Sequence, residues 1–169
     1  YKEYFAVEQA KKFLKEQGFD VINPYCDIET SFRAGYGSGT PVFAIFAEYD
    51  ALPDVGHACG HNLICSAGLA AFCAVAETMK QQQLPGKVVL LGSPAEESHG
   101  GKVKMIQAGC LEGIDAAMMV HPSYRTTPDT GSCAITRYDV VFHGKAAHAA
   151  AAPELGINAL AAVNLLFSG

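Results

Sequence analysis

Short, β-rich apolar runs alternating with helix-like segments constrain the fold of this chain more than any other feature of its sequence. Val42–Ala47, Lys87–Leu91 and Ile114–Val120 are runs of strand length. Between the first two lies Asn62–Met79, apolar on nearly every face, as a buried helix is. Between the last two lies Gly101–Ala108, helix-like, with Gly109 placed to end it. Strands that alternate with helices predict an α/β fold: a mixed, mostly parallel sheet flanked by helices on both faces.

The flanks of this pattern read differently. Val7–Gln17 carries Ala10, Phe13 and Leu14 at helical spacing and stops at Gly18, and a short strand, Asp20–Ile22, is expected to follow. Phe32–Phe46 reads as two strands joined by a hairpin loop at the glycine cluster Gly35–Gly39. That cluster is not a phosphate loop, because it leads into Pro41 and a strand and not into a helix N-terminus. After His121 the chain becomes rich in Pro, Thr and Ser up to Gly131, as a linker does. Cys133–Phe142 then has strand character and Pro153–Phe167 helix character. The expected division is a first domain over residues 1–130 and the truncated start of a second over 131–169. One strand and one helix cannot bury a core alone, so the chain reads as a fragment cut inside that second domain.

Composition removes several function classes. The net charge is −5 and no Lys/Arg-rich run occurs, so no nucleic-acid partner is expected. No uncharged apolar stretch of about 18 residues bounded like a membrane span is apparent. Leu63–Ala76 comes closest and reads as a core helix, so no membrane partner is expected. The six cysteines (26, 59, 65, 73, 110 and 133) are scattered singly, unlike a secreted disulfide framework. With no targeting segment visible, a cytoplasmic protein with reduced thiols is the expectation.

Polar clusters fall directly after the apolar runs: Asp50 after the first, Glu96 and Glu97 after the second, His121 after the third. The segment His57-Ala-Cys-Gly-His-Asn62 sits immediately before the long helix. In open α/β sheets, sites form outside the carboxyl ends of the strands, so these clusters can converge on one cleft. Cys59 and His61 are two residues apart, and both side-chain types bind zinc-like ions. Alone they could equally be a buried thiol beside helix-capping histidines. Neighbouring glutamates diverge, so one can bind metal while the other faces an activated water, although such pairs are common on solvent loops. His121 and Asp50, taken singly, could be a satisfied strand-end histidine and a turn residue. In its functional reading Asp50 orients a ligating imidazole.

The segments EYDALPDVGHACGHN, SPAEES, VHP and GKAAHAA, in this order and spacing, resemble the aminoacylase/carboxypeptidase/dipeptidase metallopeptidases, peptidase family M-20. The likeness is greatest to its dipeptidase-like amidohydrolase branch, whose members include an enzyme for dipeptides with basic C-terminal residues. The resemblance covers essentially the whole chain, and it implies a zinc-peptidase-like catalytic domain followed by a ferredoxin-like dimerisation domain. It implies Cys59, His61, Glu97 and His121 as metal ligands, Glu96 as the base that activates water, and Asp50 behind the metal site. His148 would lie in the dimerisation domain and steady the oxyanion in the partner subunit's active site. The bland alternative for His148 is an exposed turn residue.

The sequence departs from the family at three places. Glu48 stands where much of the family has His, Asn62 stands where related amidohydrolases often have Asp, and His99 follows the glutamates. The family supplies one further metal-binding His from a C-terminal part absent here, so the fragment is expected to bind metal weakly and hydrolyse little. The implied cofactor is one or two divalent ions, with zinc favoured by the thiolate and manganese or cobalt as alternatives. The implied protein is a homodimeric metal-dependent dipeptidase. Three rivals stand beside it: an N-acyl-amino-acid or aminobenzoyl-glutamate amidohydrolase, a non-catalytic relative that binds small amides or a partner, and a hydrolase using Cys59 as nucleophile with His57.

Overall fold

A computed structural model of the protein describes residues 1–129, 131, 134–136 and 138–169. They fall into two compact units, Tyr1–Thr126 and Thr127–Gly169.

The first unit is built on a five-stranded mixed sheet in the order β1-β2-β4-β3-β5. The strands are β1 (Val21–Ile22), β2 (Phe32–Ser38), β3 (Val42–Glu48), β4 (Gly86–Ser93) and β5 (Ala116–Met118). β3 runs parallel to both β4 and β5, whereas β2 is antiparallel to β4 and β1 antiparallel to β2. The three apolar runs of the sequence are thus the three parallel strands, and their carboxyl ends share one edge of the sheet.

The pleat sends successive side chains to opposite faces, and both faces are covered. Ile45 and Ala47 of β3 and Val88 and Leu90 of β4 pack with helices α1 (Tyr4–Glu16) and α2 (His61–Gln82). Ala44 and Phe46, with Val89 and Leu91, form the opposite core with Met105 of helix α4 (Gly101–Gln107) and Cys110 beyond it. This two-faced burial explains why β3 and β4 are continuously apolar, whereas the edge strand β5 is exposed.

Two details of this unit correct the sequence reading. The glycine cluster is not a hairpin loop: Gly35–Ser38 belongs to β2, and β4 lies between β2 and β3. The glycine at position 37 has φ +83°, and a Cβ there would lie 2.3 Å from the Gly86 carbonyl oxygen, so close backbone contact with β4 is what the glycines permit. Helix α2 is not buried all round. His61, Ile64, Gly68, Phe72, Ala76 and Met79 form one buried stripe, while Leu63 and Val75 face solvent. At 22 residues α2 is long and apolar enough, by length and composition, to cross a membrane, and its stripe packs on the sheet as the core helix expected from the sequence does.

In the second unit, the expected strand over 133–142 is not found among the described residues, and Cys133 and Arg137 lie outside them. A strand needs a partner, and the one pairing described in this unit is a single bridge, Lys145 with Ile157. The expected helix from Pro153 is broken: a 3-10 turn spans Pro153–Leu155, Gly156 is extended, and α5 (Ala159–Ser168) starts afresh with Asn158 as its cap. The Asn158 side chain accepts a hydrogen bond from the Ala161 amide.

Phe72 joins helix to sheet in the first unit. It is fully buried, and its ring meets Phe19 edge-on at 4.8 Å. Phe72→Ala is expected to destabilise the protein by about 3–5 kcal/mol, read as a lower midpoint in urea unfolding followed by circular dichroism.

Candidate functional site

The turns after β3, β4 and β5, with the start of α2, bring together six of the residues singled out from sequence: Asp50, Cys59, His61, Glu96, Glu97 and His121. Donor atoms of Cys59, His61 and His121 all lie within 4.8 Å of one another, as do those of His61, Glu96 and Glu97. His61 belongs to both groups and lies at the centre of the cluster.

Local backbone geometry makes this convergence possible. Gly60 is left-handed (φ +82°) and turns the chain from Cys59 into α2. A Cβ at Gly60 would lie 3.0 Å from the Pro122 ring, so this glycine also lets the loop carrying His121 pack close. Ala95 is likewise left-handed (φ +54°) and buried; it turns β4 sharply into the short helix α3 (Glu96–His99). A left-handed alanine is sparsely populated, the kind of strain that gathers at functional sites.

Asp50 ties these pieces together. Its Oδ1 accepts from His61 Nδ1 at 2.9 Å, and its Oδ2 accepts from the Glu97 amide at 3.0 Å. With Nδ1 donating to a carboxylate, the other ring nitrogen keeps its lone pair free. That Nε2 is buried and makes no hydrogen bond among the described residues. Around it stand Glu48 Oε2 at 3.5 Å, Glu97 Oε1 at 3.7 Å and Glu96 Oε2 at 3.9 Å. His121 is oriented in the same sense. Its Nδ1 donates to the Pro122 carbonyl at 2.8 Å, and its Nε2 lies 3.7 Å from Cys59 Sγ.

A lone pair on a buried imidazole, surrounded by carboxylates, a second imidazole and a thiol, is a donor set that fits a divalent cation of the zinc type. Two ions sharing the neighbourhood of His61 are compatible with the two donor groups. Glu96 is the more exposed glutamate, its side chain 44% accessible against 22% for Glu97. That difference matches a base open to water beside a ligand held inward.

The Cys59 thiol is pushed up, first by burial, then by its hydrogen bond to Glu97 and by the charges of Glu97, Glu96 and Asp50. A nucleophilic cysteine needs the opposite shift. His57 lines a separate cavity beside Phe5, Tyr49 and Asn62, and no described contact joins it to Cys59. The cysteine-nucleophile reading therefore finds no support in the geometry.

His148 belongs to the second unit, where its Nδ1 accepts from the amides of Ala150 and Ala151 at 3.2 and 3.0 Å. That arrangement places the ring proton on Nε2. Two residues were not chosen from sequence as site members: Glu48, noted as a departure from the family, and Lys102, whose ammonium meets Glu48. Nothing in the sequence separates Lys102 from its neighbour Lys104.

Comparison with known proteins accords with this geometry. Residues 44–165 match the peptidase family M20/M25/M40. The chain is 40% identical over 159 residues to a mouse (Mus musculus) Xaa-Arg dipeptidase, covering 87% of this chain and 36% of that protein. It is 35% identical over 187 residues to one chain of the p-aminobenzoyl-glutamate hydrolase of Escherichia coli, covering all of this chain and 39% of that protein. The chain thus spans little more than a third of the length of these relatives. Among solved structures it is similar to a Bacillus subtilis protein described as a dinuclear metal binding peptidase from the M20 family. The TM-score is 0.56 at 28% identity, over 69% of this chain and 36% of that one. The match over most of the chain, with the site motifs converging as its strands require, shows that the protein belongs to peptidase family M20/M25/M40.

Proposed function

We propose that the protein of which this chain forms part hydrolyses the amide bond of a small substrate, and that dipeptides are its substrate class. The observation that carries the reading is the buried Nε2 of His61, which has no hydrogen-bond partner among the described residues and is held ready by Asp50 among Cys59, His121, Glu96 and Glu97. Cys59, His61, Glu97 and His121 would hold the metal, with zinc favoured by the thiol. A bound divalent cation supplies Lewis acidity, which polarises the scissile carbonyl and lowers the pKa of water towards about 7.

The residues of the chain have separable tasks. Glu96, open to solvent, takes a proton from the attacking water and delivers it to the leaving amine nitrogen. Glu97 and His121 keep their donors aimed at the centre, and Asp50 fixes the His61 ring so that Nε2 faces inward. His148 presents an Nε2–H that suits donation to an oxyanion; in a homodimer it would serve the partner subunit's site. A cytoplasmic location completes this reading. The likeness to the Xaa-Arg dipeptidase favours dipeptides ending in a basic residue. The likeness to the aminobenzoyl-glutamate hydrolase supports a second reading, an N-acyl amino acid as substrate.

Three outcomes test the proposal in the full-length protein. A chelator should abolish hydrolysis of a panel of Lys- or Arg-ending dipeptides and acyl-amino acids, and metal add-back should restore it; chelator-insensitive turnover would overturn the metal reading. Glu96→Gln should lower kcat by at least about a hundredfold while metal content, measured by atomic emission, stays near stoichiometric. Asp50→Asn should weaken metal affinity roughly ten- to a hundredfold in competition with a chromogenic chelator. The pH dependence has a definite sign as well. Because the Cys59 thiol is pushed up, metal binding at neutral pH must displace its proton. Affinity should therefore rise as pH increases from about 6 to 8, and a flat profile would remove Cys59 from the donor set.

A further inference from the structure

Glu48 and Lys102 form a buried charge pair directly behind the candidate metal centre, and neither has a task in the reading above. Glu48 ends β3 and is 1% exposed; Lys102 lies in the first turn of α4. One oxygen of the Glu48 carboxylate meets Lys102 Nζ, and the other stands 3.5 Å from His61 Nε2. Two donors bound to one tetrahedral ion at zinc-like bond lengths sit about 3.4 Å apart. By distance from Nε2, Glu48 is therefore as near to the coordination sphere as Glu97 at 3.7 Å. It nevertheless belongs to neither group of converging donors.

We propose that Lys102 is a positioning residue of the metal centre: by binding Glu48 it keeps that carboxylate from becoming an additional metal ligand. The inference rests on the reading of the cluster as a metal centre. Its physical basis is charge. A buried carboxylate must be paired, and the cluster offers Glu48 two cationic partners, the bound ion and Lys102. Among the described residues, Lys102 is the one lysine or arginine paired with a carboxylate of the cluster. Burial pushes its ammonium down, to about 8, which still leaves it charged at neutral pH. Glu48 is thereby neutralised without touching the ion, and the coordination sphere is left to Cys59, His61, Glu97 and His121, with room for water and substrate.

The rival explanation is a plain structural staple between β3 and α4. The two explanations differ in sign. If Lys102 restrains Glu48, Lys102→Met frees a carboxylate to join the ion, so affinity should rise about tenfold or more. In the cobalt(II)-loaded protein the visible d–d absorption should fall in intensity, as it does when coordination number increases. Glu48→Gln leaves an unpaired ammonium near the ion, so affinity should fall roughly ten- to a hundredfold. The double variant should return to within about threefold of the parent in affinity and recover its spectrum.

The experiment is cobalt(II) and zinc(II) titration of the full-length protein and these three variants, by absorbance and by chelator competition, with thermal unfolding of each metal-free form. Opposite shifts in the single variants, cancelled in the double, support the proposal. Single variants that both weaken binding, or that lower Tm with affinity and spectrum unchanged, overturn it. Should Lys102→Met fail to fold, the comparison of Glu48→Gln with the double variant decides: equal affinities overturn the proposal, and weaker binding by Glu48→Gln supports it. A parent protein that binds neither ion refutes the metal-centre reading itself, a result distinct from all of these.

Discussion

One carboxylate, that of Asp50, holds the candidate site in register. It follows β3, its first oxygen takes the His61 ring at the start of α2, and its second takes the Glu97 amide at the start of α3. Three chain segments, each leaving or entering the sheet edge in its own direction, are thereby fixed relative to one another by two short hydrogen bonds. Asp50 is 5% exposed, so these bonds form where water competes weakly and charge-assisted hydrogen bonds are strongest. Every distance around His61 Nε2 depends on that anchoring, because the orientation of the imidazole decides which donors it can share an ion with.

The sheet supplies what Asp50 alone could not. β3, β4 and β5 are parallel, so the turns that follow them open on the same edge. Cores on both faces support β3 and β4 behind that edge, with α1 and α2 on one side and α4 on the other. Left-handed residues at Gly60 and Ala95 then bend the chain away from the strands at once, so that donors lie close to the sheet. The consequence is a dense negative site. Glu48, Asp50, Glu96 and Glu97 surround a single imidazole, an arrangement that calls for cations. Lys102 supplies one of them, and the donor geometry suits a divalent ion for the remainder.

The parts of this site that were legible in the sequence were those that depend on residue type and strand position. Cys59, His61, Glu96, Glu97 and His121 all stand at the end of an apolar run or at the start of a helix, and the parallel sheet brings such positions together. The misreadings share a different cause. β2 and β3 look like a hairpin because they are close in sequence, but β4, nearly fifty residues away, takes the place between them. Apolar residues around all of α2 read as burial all round, yet only one stripe meets the sheet. In the second unit the strand expected over 133–142 is not found among the described residues, and Cys133 and Arg137 lie outside them.

Sequence by itself thus determined the α/β class, the inventory of metal-binding and acid–base side chains, and the family to which the chain belongs. These follow from local periodicity, residue chemistry and the order of short motifs, which need no knowledge of distant contacts. Tertiary structure alone decided that Asp50 grips both His61 and Glu97, that Glu96 is the more exposed glutamate, and that Lys102 faces Glu48 behind the site. Each of these joins residues from eleven to more than fifty positions apart, or turns on exposure. Such contacts are set by strand order and by helix docking on the sheet, and these are non-local properties that no short window of sequence carries.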